Sequence, residues 1–145
     1  MNNAINSNPK VSIIIPCYNY GNYLRDAVES CVRQTWPNLE IVIVNDGSSD
    51  NTLTIAEVCQ RHFSDYSIKI IDQENQGLAA SRNNAIALST GQFILPLDAD
   101  DLFEPEMVDS CIAMLTKNPR KDIAYTGCRY FGDVDKLADW IEPWN

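Results

Sequence analysis

A chain of 145 residues, 45% hydrophobic and 21% charged, is long enough for one domain with a sizeable core. Its formal net charge of -9 argues against a nucleic-acid partner, because a phosphate-backbone binder needs a basic face. No apolar run reaches membrane-spanning length, and the polar first ten residues lack the apolar stretch of a secretory signal. A soluble, cytoplasmic chain is the expectation.

Met1 to Lys10 is rich in Asn and reads as a frayed tail. Val11-Ser12-Ile13-Ile14-Ile15 has the pattern of a buried strand, with Pro16 as its stop. Leu24, Ala27, Val28, Cys31 and Val32 recur at helical spacing and predict a helix over Tyr23 to Val32. After a Trp36-Pro37-Asn38 turn, Glu40 to Val44 is a second apolar strand ending at Asn45-Asp46-Gly47-Ser48. Asp50 or Asn51 is placed to cap a helix carrying Leu53, Ile55, Ala56 and Val58. Ile68 to Ile71 is a short third strand, and Gly77 opens an alanine-rich helix to about Ser89, with Gly91 as its stop signal. Phe93 to Leu97 is a fourth strand that runs straight into Asp98. Glu104-Pro105 resembles a helix start, with Pro at the first helical position, ahead of Met107, Val108, Cys111, Ile112 and Leu115. Asp122 to Thr126 is a candidate fifth strand, and residues 128–145 form an acidic segment without a clear pattern. This alternation predicts an α/β fold over residues 11–127, a mostly parallel sheet with helices on both faces.

Cys17, Cys31, Cys59, Cys111 and Cys128 are odd in number, and no pair has C-x-x-C spacing. Cys31, Cys59 and Cys111 sit in apolar helical patterns as small core residues, which fits a reducing compartment. The single histidine, His62, follows a helix among polar residues and reads as surface. Histidine-based catalysis is therefore a weak candidate.

In an open parallel sheet, ligands bind beyond the carboxyl ends of the strands. The polar runs Pro16-Cys17-Tyr18-Asn19, Asn45-Asp46-Gly47-Ser48-Ser49-Asp50 and Asp98-Ala99-Asp100-Asp101 all fall there. Two aspartates separated by the small Ala99 can face one cation, and a divalent ion between carboxylates and a diphosphate reverses an otherwise repulsive sign. Asp101, nearer the next helix, is the member that helix capping or loop solvation would explain. Asp46 can accept a ring N–H from a base or bond its own turn. Tyr18 offers an aromatic face or packing, and Asn19 a turn. Gly77 permits close backbone approach at a helix start, where free N–H groups favour an anion. Arg82, about one and a half turns into that helix, can reach a phosphate or a base, or pair with an aspartate.

Together the stretches from Val11 to Asn19, Ile41 to Asp50, Asn75 to Asn83 and Gly91 to Asp101 resemble the family-two glycosyltransferases of GT-A (Rossmann-like) fold, over roughly residues 9 to 127. The resemblance implies a base pocket lined by Pro16 and Tyr18 with Asn19 close by, Asp46 on the base, commonly uracil, and Asp98-Ala99 by the ribose. It implies Asp100, with Asp98, on Mn2+ or Mg2+ bridging to the diphosphate. It implies a hexosyltransferase-type transfer with inversion, from a UDP-linked or similar sugar donor to a saccharide, lipid-linked or protein acceptor. A role in cell-wall or polysaccharide synthesis at the inner membrane face goes with it. Asn45 departs from the paired aspartates of many members, and the chain looks truncated at its C-terminus. None of Asp133, Asp135, Asp139 and Glu142 carries a motif that marks it as the catalytic base. A non-catalytic nucleotide-sugar-binding module stays open as an alternative. A nucleotidyltransferase is less favoured, because the loop Cys17 to Asn22 holds no basic residue.

Overall fold

The structure, a computed structural model, describes residues 7–118 and 120–132 and the backbone of 136 and 137. Residues 1–6 of the expected tail lie outside them, as do Asp133, Asp135, Asp139 and Glu142. The elements are β1 (Val11–Cys17), α1 (Leu24–Val32), β2 (Leu39–Asp46), α2 (Thr52–His62), β3 (Ser67–Gln73), α3 (Leu78–Leu88), β4 (Phe93–Pro96) and α4 (Met107–Lys117). β1 to β4 form a parallel sheet in the order β3-β2-β1-β4, so their carboxyl ends share one edge. β5 (Arg129–Tyr130) and β6 (Lys136–Leu137) form a separate antiparallel pair.

The β-branched runs of β1 and β2 are buried on both faces, which requires helices on each side. Ile13, Ile15, Ile41 and Ile43 meet Leu24, Ala27, Val28 and Cys31 of α1 and Ala56 and Cys59 of α2. Val108 and Ile112 of α4 join that side against Val11. On the opposite face Ile14, Val42 and Val44 pack on Ala85 of α3. The expected α/β sandwich is therefore present.

Several local expectations change. β1 does not stop at Pro16 but continues to Cys17. β4 pairs with β1 only as far as Ile14, so the missing N–H of Pro16 falls where one neighbour has ended. Asn45 and Asp46, expected beyond the strand, lie inside β2 opposite Asp72 and Gln73. The inward stripe of α2 is Thr52, Ala56 and Cys59, which leaves Val58 exposed. Asp50 receives the Thr52 N–H, one residue ahead of the Asn51 cap position. α3 ends at Leu88 with Ser89 extended, so Gly91 is not the residue that stops it. A Cβ on Gly91 would stand 2.4 Å from Ser12 Oγ and 2.7 Å from Ser12 N, so glycine there permits close approach to β1.

Pro105 does not begin a helix. α4 starts two residues later, because the carbonyls of Glu104 and Pro105 accept from Gln34 Nε2 and Thr35 N. Gln34 Oε1 in turn takes the Val108 N–H at 3.0 Å, a cap supplied from outside the helix. The expected fifth strand over Asp122 to Thr126 is not formed, and that segment is irregular. It runs past β4, where Asp122, Ile123 and Ala124 line a small groove with Ile94 and Leu95.

At the amino-terminal edge of the sheet, Glu40 is fully buried on the α3 side. Its carboxylate accepts from Ser12 Oγ at 2.6 Å and from the Thr90 amide and hydroxyl. Lys10 and Lys69 each stand 3.0 Å from Oε2.

Candidate functional site

At the carboxyl edge, the loops after β1 and β2 are tied together. Asn19 has φ +60, a left-handed conformation that Asn tolerates better than most residues. Its Oδ1 accepts from Ser49 N at 2.8 Å and Asp50 N at 3.3 Å, while its own N–H donates to Ser48 Oγ. Asp50 accepts from the Thr52 hydroxyl and amide and from Gly21 N, contacts that hold its carboxyl below the ordinary range. The Asn19 side-chain oxygen and the Asp50 carboxylate are thus engaged in loop joining. Tyr18 is half exposed on this rim, with Tyr20 and Tyr23 near it in sequence and 6.0 Å apart between ring centroids. Pro16 is buried within β1. Burial, reinforced by the nearby Asp50 charge, pushes the Cys17 thiol up to about 12, which removes it as a nucleophile near neutral pH.

Asp46 ends β2 and is only 3% exposed. Its Oδ1 accepts from Gln73 Nε2 at 2.7 Å and Gln76 N at 2.9 Å, and its Oδ2 from Gly77 N at 2.8 Å. Burial alone would raise its pKa, but hydrogen bonds from Gln76, Gln73 and Gly77, with the Ser81 hydroxyl close by adding to them, hold the carboxyl below its usual range. Asp46 therefore bonds the β3–α3 loop rather than its own turn. Gly77, with φ +86, caps α3 and gives its N–H to Asp46, so that amide is not open to an anion. Asn75 Nδ2 bonds the Asp46 carbonyl, and Gly47 at φ +70 passes so close that a Cβ would lie 2.8 Å from Asn75 N. Asn45 Nδ2 donates to Asp72 Oδ1 at 2.7 Å. An aspartate at position 45 would put two carboxylates in contact there, which accounts physically for the departure to Asn. Spacing does not single out Gln73; only the strand register, which sets it opposite Asp46, brings it in.

Beyond β4, Leu97 and Ala99 are buried while Asp98 and Asp100 are exposed, so both carboxylates stand on the solvent side. Burial raises the Asp101 pKa, and the charges of Asp100 and Asp98 raise it further, which places the three carboxylates within electrostatic reach of one another. Asp101 N also donates to the Asp98 carbonyl, closing a turn. Arg82 Nη2 pairs with Asp98 Oδ1 at 2.6 Å, while its Nε is buried without a hydrogen-bond partner among the described residues. Among those residues no three Asp, Glu, His or Cys side chains gather to hold an ion by themselves. The donor set of Asp98 and Asp100 fits a hard divalent cation whose other ligands come from a diphosphate and water.

An open cleft of about 1310 Å³ takes in Arg82, Asp98 and Asp101 with Phe103, Arg129 and Phe131. Pro16, Tyr18, Asn19, Asp46, Gly77 and Asp100 do not line it. The predicted residues therefore share one sheet edge without sharing one cavity. Asp46 is turned into the loop before α3, and the cleft runs towards α1 and the segment after β4.

The description "Glycosyl transferase family 2" belongs to the sequence family whose model matches residues 12–143. The chain belongs to that family. It is 39% identical over 136 residues to the uncharacterized glycosyltransferase YibD of Escherichia coli K12, covering 94% of this chain and 36% of that protein. It is 38% identical over 122 residues to the hyaluronan synthase of Pasteurella multocida, covering 84% of this chain and 12% of the synthase. The fold matches a Pyrobaculum calidifontis mannosyltransferase solved with GDP-Man and Mn2+, at TM-score 0.71 and 25% identity over 74% of this chain and 32% of that one. It also matches residues 1-349 of S. aureus TarS with UDP-GlcNAc, at TM-score 0.69 and 29% identity over 76% of this chain and 32% of that 1-349 chain. The chain thus spans about a third or less of these relatives' lengths. No helix among the described residues is long and apolar enough to cross a membrane.

Proposed function

We propose that this chain forms the donor-binding part of an inverting glycosyltransferase that uses a UDP-linked sugar and passes it to an acceptor hydroxyl. The carrying observation is that Asp98 and Asp100 are both exposed just beyond the carboxyl end of β4, on the same sheet edge as Asp46. In this reading Asp46 accepts the ring N–H of the base, with Pro16, Tyr18 and Asn19 shaping its surroundings. Asp98 and Ala99 lie by the ribose, Asp100 and Asp98 hold Mn2+ or Mg2+, and Arg82 turns from Asp98 to the diphosphate. Gly77 acts through its bond to Asp46 at the start of α3. Asp98 and Asp100 would hold such an ion where it would supply positive charge against the departing nucleoside diphosphate. Direct displacement also needs a base for the acceptor proton, and that role is assigned to no residue here. The five free cysteines fit a reducing compartment such as the cytoplasm.

A donor-binding module without turnover is the second reading, favoured by the grip of Arg82 on Asp98, which leaves Asp100 to meet an ion first. Calorimetric titration with UDP, with and without Mn2+, tests the site. UDP binding should tighten with Mn2+, and Asp100→Ala should abolish most of that gain, about tenfold or more in Kd. Binding indifferent to metal in the wild type would reject the site. Release of sugar from UDP-sugars by the wild type supports the enzymatic reading; tight UDP binding with no release supports the module.

A further inference from the structure

We propose that Gln73 selects the base, by filling one acceptor position of Asp46 so that the carboxylate can take one ring N–H and not two. This rests on the reading of Asp46 as the base-binding carboxylate. An ionised carboxylate has about four lone-pair positions. Oδ1 receives Gln73 Nε2 and Gln76 N, and Oδ2 receives Gly77 N, so one position on Oδ2 is left. The neighbouring Ser81 hydroxyl has one proton and donates it to the Gly77 carbonyl at 3.1 Å, so it does not fill that position. Uracil presents a single ring N–H between two carbonyls. Guanine presents a ring N–H beside an amino group, two parallel donors that call for one open position on each carboxylate oxygen. With Oδ1 filled, the second guanine donor would be buried unpaired, a costly arrangement.

Gln73 is held to this task. Its Oε1 accepts from Asn84 Nδ2 at 2.7 Å, which orients the amide so that Nε2 faces Asp46, and Nε2 also lies 3.3 Å from Ser81 Oγ. Gln76 N and Gly77 N are backbone donors fixed by the loop. Gln73 Nε2 is a side-chain donor to the Asp46 carboxylate, and so one that a substitution can remove. The fold itself does not choose the base, since similar structures hold GDP-Man in one case and UDP-GlcNAc in another.

The test is titration of UDP and GDP, each with saturating Mn2+, into the wild type, Gln73→Met and Asn84→Ala, with thermal unfolding to confirm folding. The wild type should prefer UDP by at least about tenfold. Gln73→Met, which reopens Oδ1, should narrow the UDP/GDP ratio at least about fivefold, chiefly by improving GDP. Asn84→Ala, which only frees the Gln73 amide, should narrow it about twofold and carries the test if Gln73→Met does not fold. A loosened pocket would weaken both nucleotides together and leave the ratio alone. An unchanged ratio in the folded variants, or a wild type without UDP preference, overturns the proposal while leaving the donor site standing. A wild type that binds neither nucleotide overturns the donor-site reading and this proposal with it.

Discussion

Glu40 holds a negative charge at zero exposure. Burial works to raise its pKa, but the Ser12 hydroxyl, the Thr90 amide, Lys69 and Lys10 outweigh burial and hold it well below the carboxylate range. The folded state therefore binds this proton more weakly than the unfolded chain. Its stabilisation is complete above the ordinary value of 4.5 and is lost as pH falls through that value towards the folded one. Glu40→Gln should lower stability at neutral pH by about 3 kcal/mol, because Lys10 and Lys69 lose their shared partner. Urea denaturation repeated between about pH 6 and pH 3 should show a shallower loss in the variant than in the wild type. Asp46 and Asp50, also held below the ordinary range, supply the acid sensitivity that persists. A variant as acid-sensitive as the wild type would remove Glu40 from this role. In the sequence Glu40 is only the polar first residue of a strand; its burial follows from the register with Ser12 and from the return of Thr90 over β1 and β2.

The loops after β1 and β2 behave as one element because Asn19 and Asp50 bond across them. Asn19→Gly keeps the left-handed backbone but removes the side-chain acceptor, and should cost about 1 to 2 kcal/mol. Asn19→Ala removes the same acceptor and adds a strained φ, so it should cost about 1 kcal/mol more than the glycine variant. Equal stability of the two in equilibrium unfolding would mean that the φ of +60 carries no penalty. At this scale α1 was fully legible, since its buried stripe follows from helical period alone. The start of α4 was not. Its cap comes from Gln34, on a segment that nothing in the local spacing connects to Val108.

Across the whole molecule, the Glu40 cluster and the candidate site sit at opposite ends of β2. Asp46 lies six positions after Glu40 along the strand, a span of about 20 Å. Glu40→Gln should therefore lower Tm while leaving the UDP Kd within about twofold. Saturating UDP with Mn2+ should raise Tm in wild type and variant alike, by mass action on the folded state. A tenfold change in Kd would mean that the two ends are coupled through the sheet.

The α/β order, the apolar faces of β1, β2 and α1, and the place of Tyr18, Asp46 and Asp98 to Asp101 at strand ends all follow from the residue pattern alone. Periodicity and strand-end polarity are local properties, and they survive folding. Three features come from the fold: Asp46 bonds the loop before α3, Arg82 pairs with Asp98, and Asp122 to Thr126 forms no strand. Hydrogen-bond partners are set by strand register and by loops that meet across the sheet, and neither is encoded in the spacing of one segment. The acidic run kept its expected place at the strand end, with Asp98 and Asp100 exposed, while the carboxylate two strands away proved to be bonded from three directions before any ligand arrives.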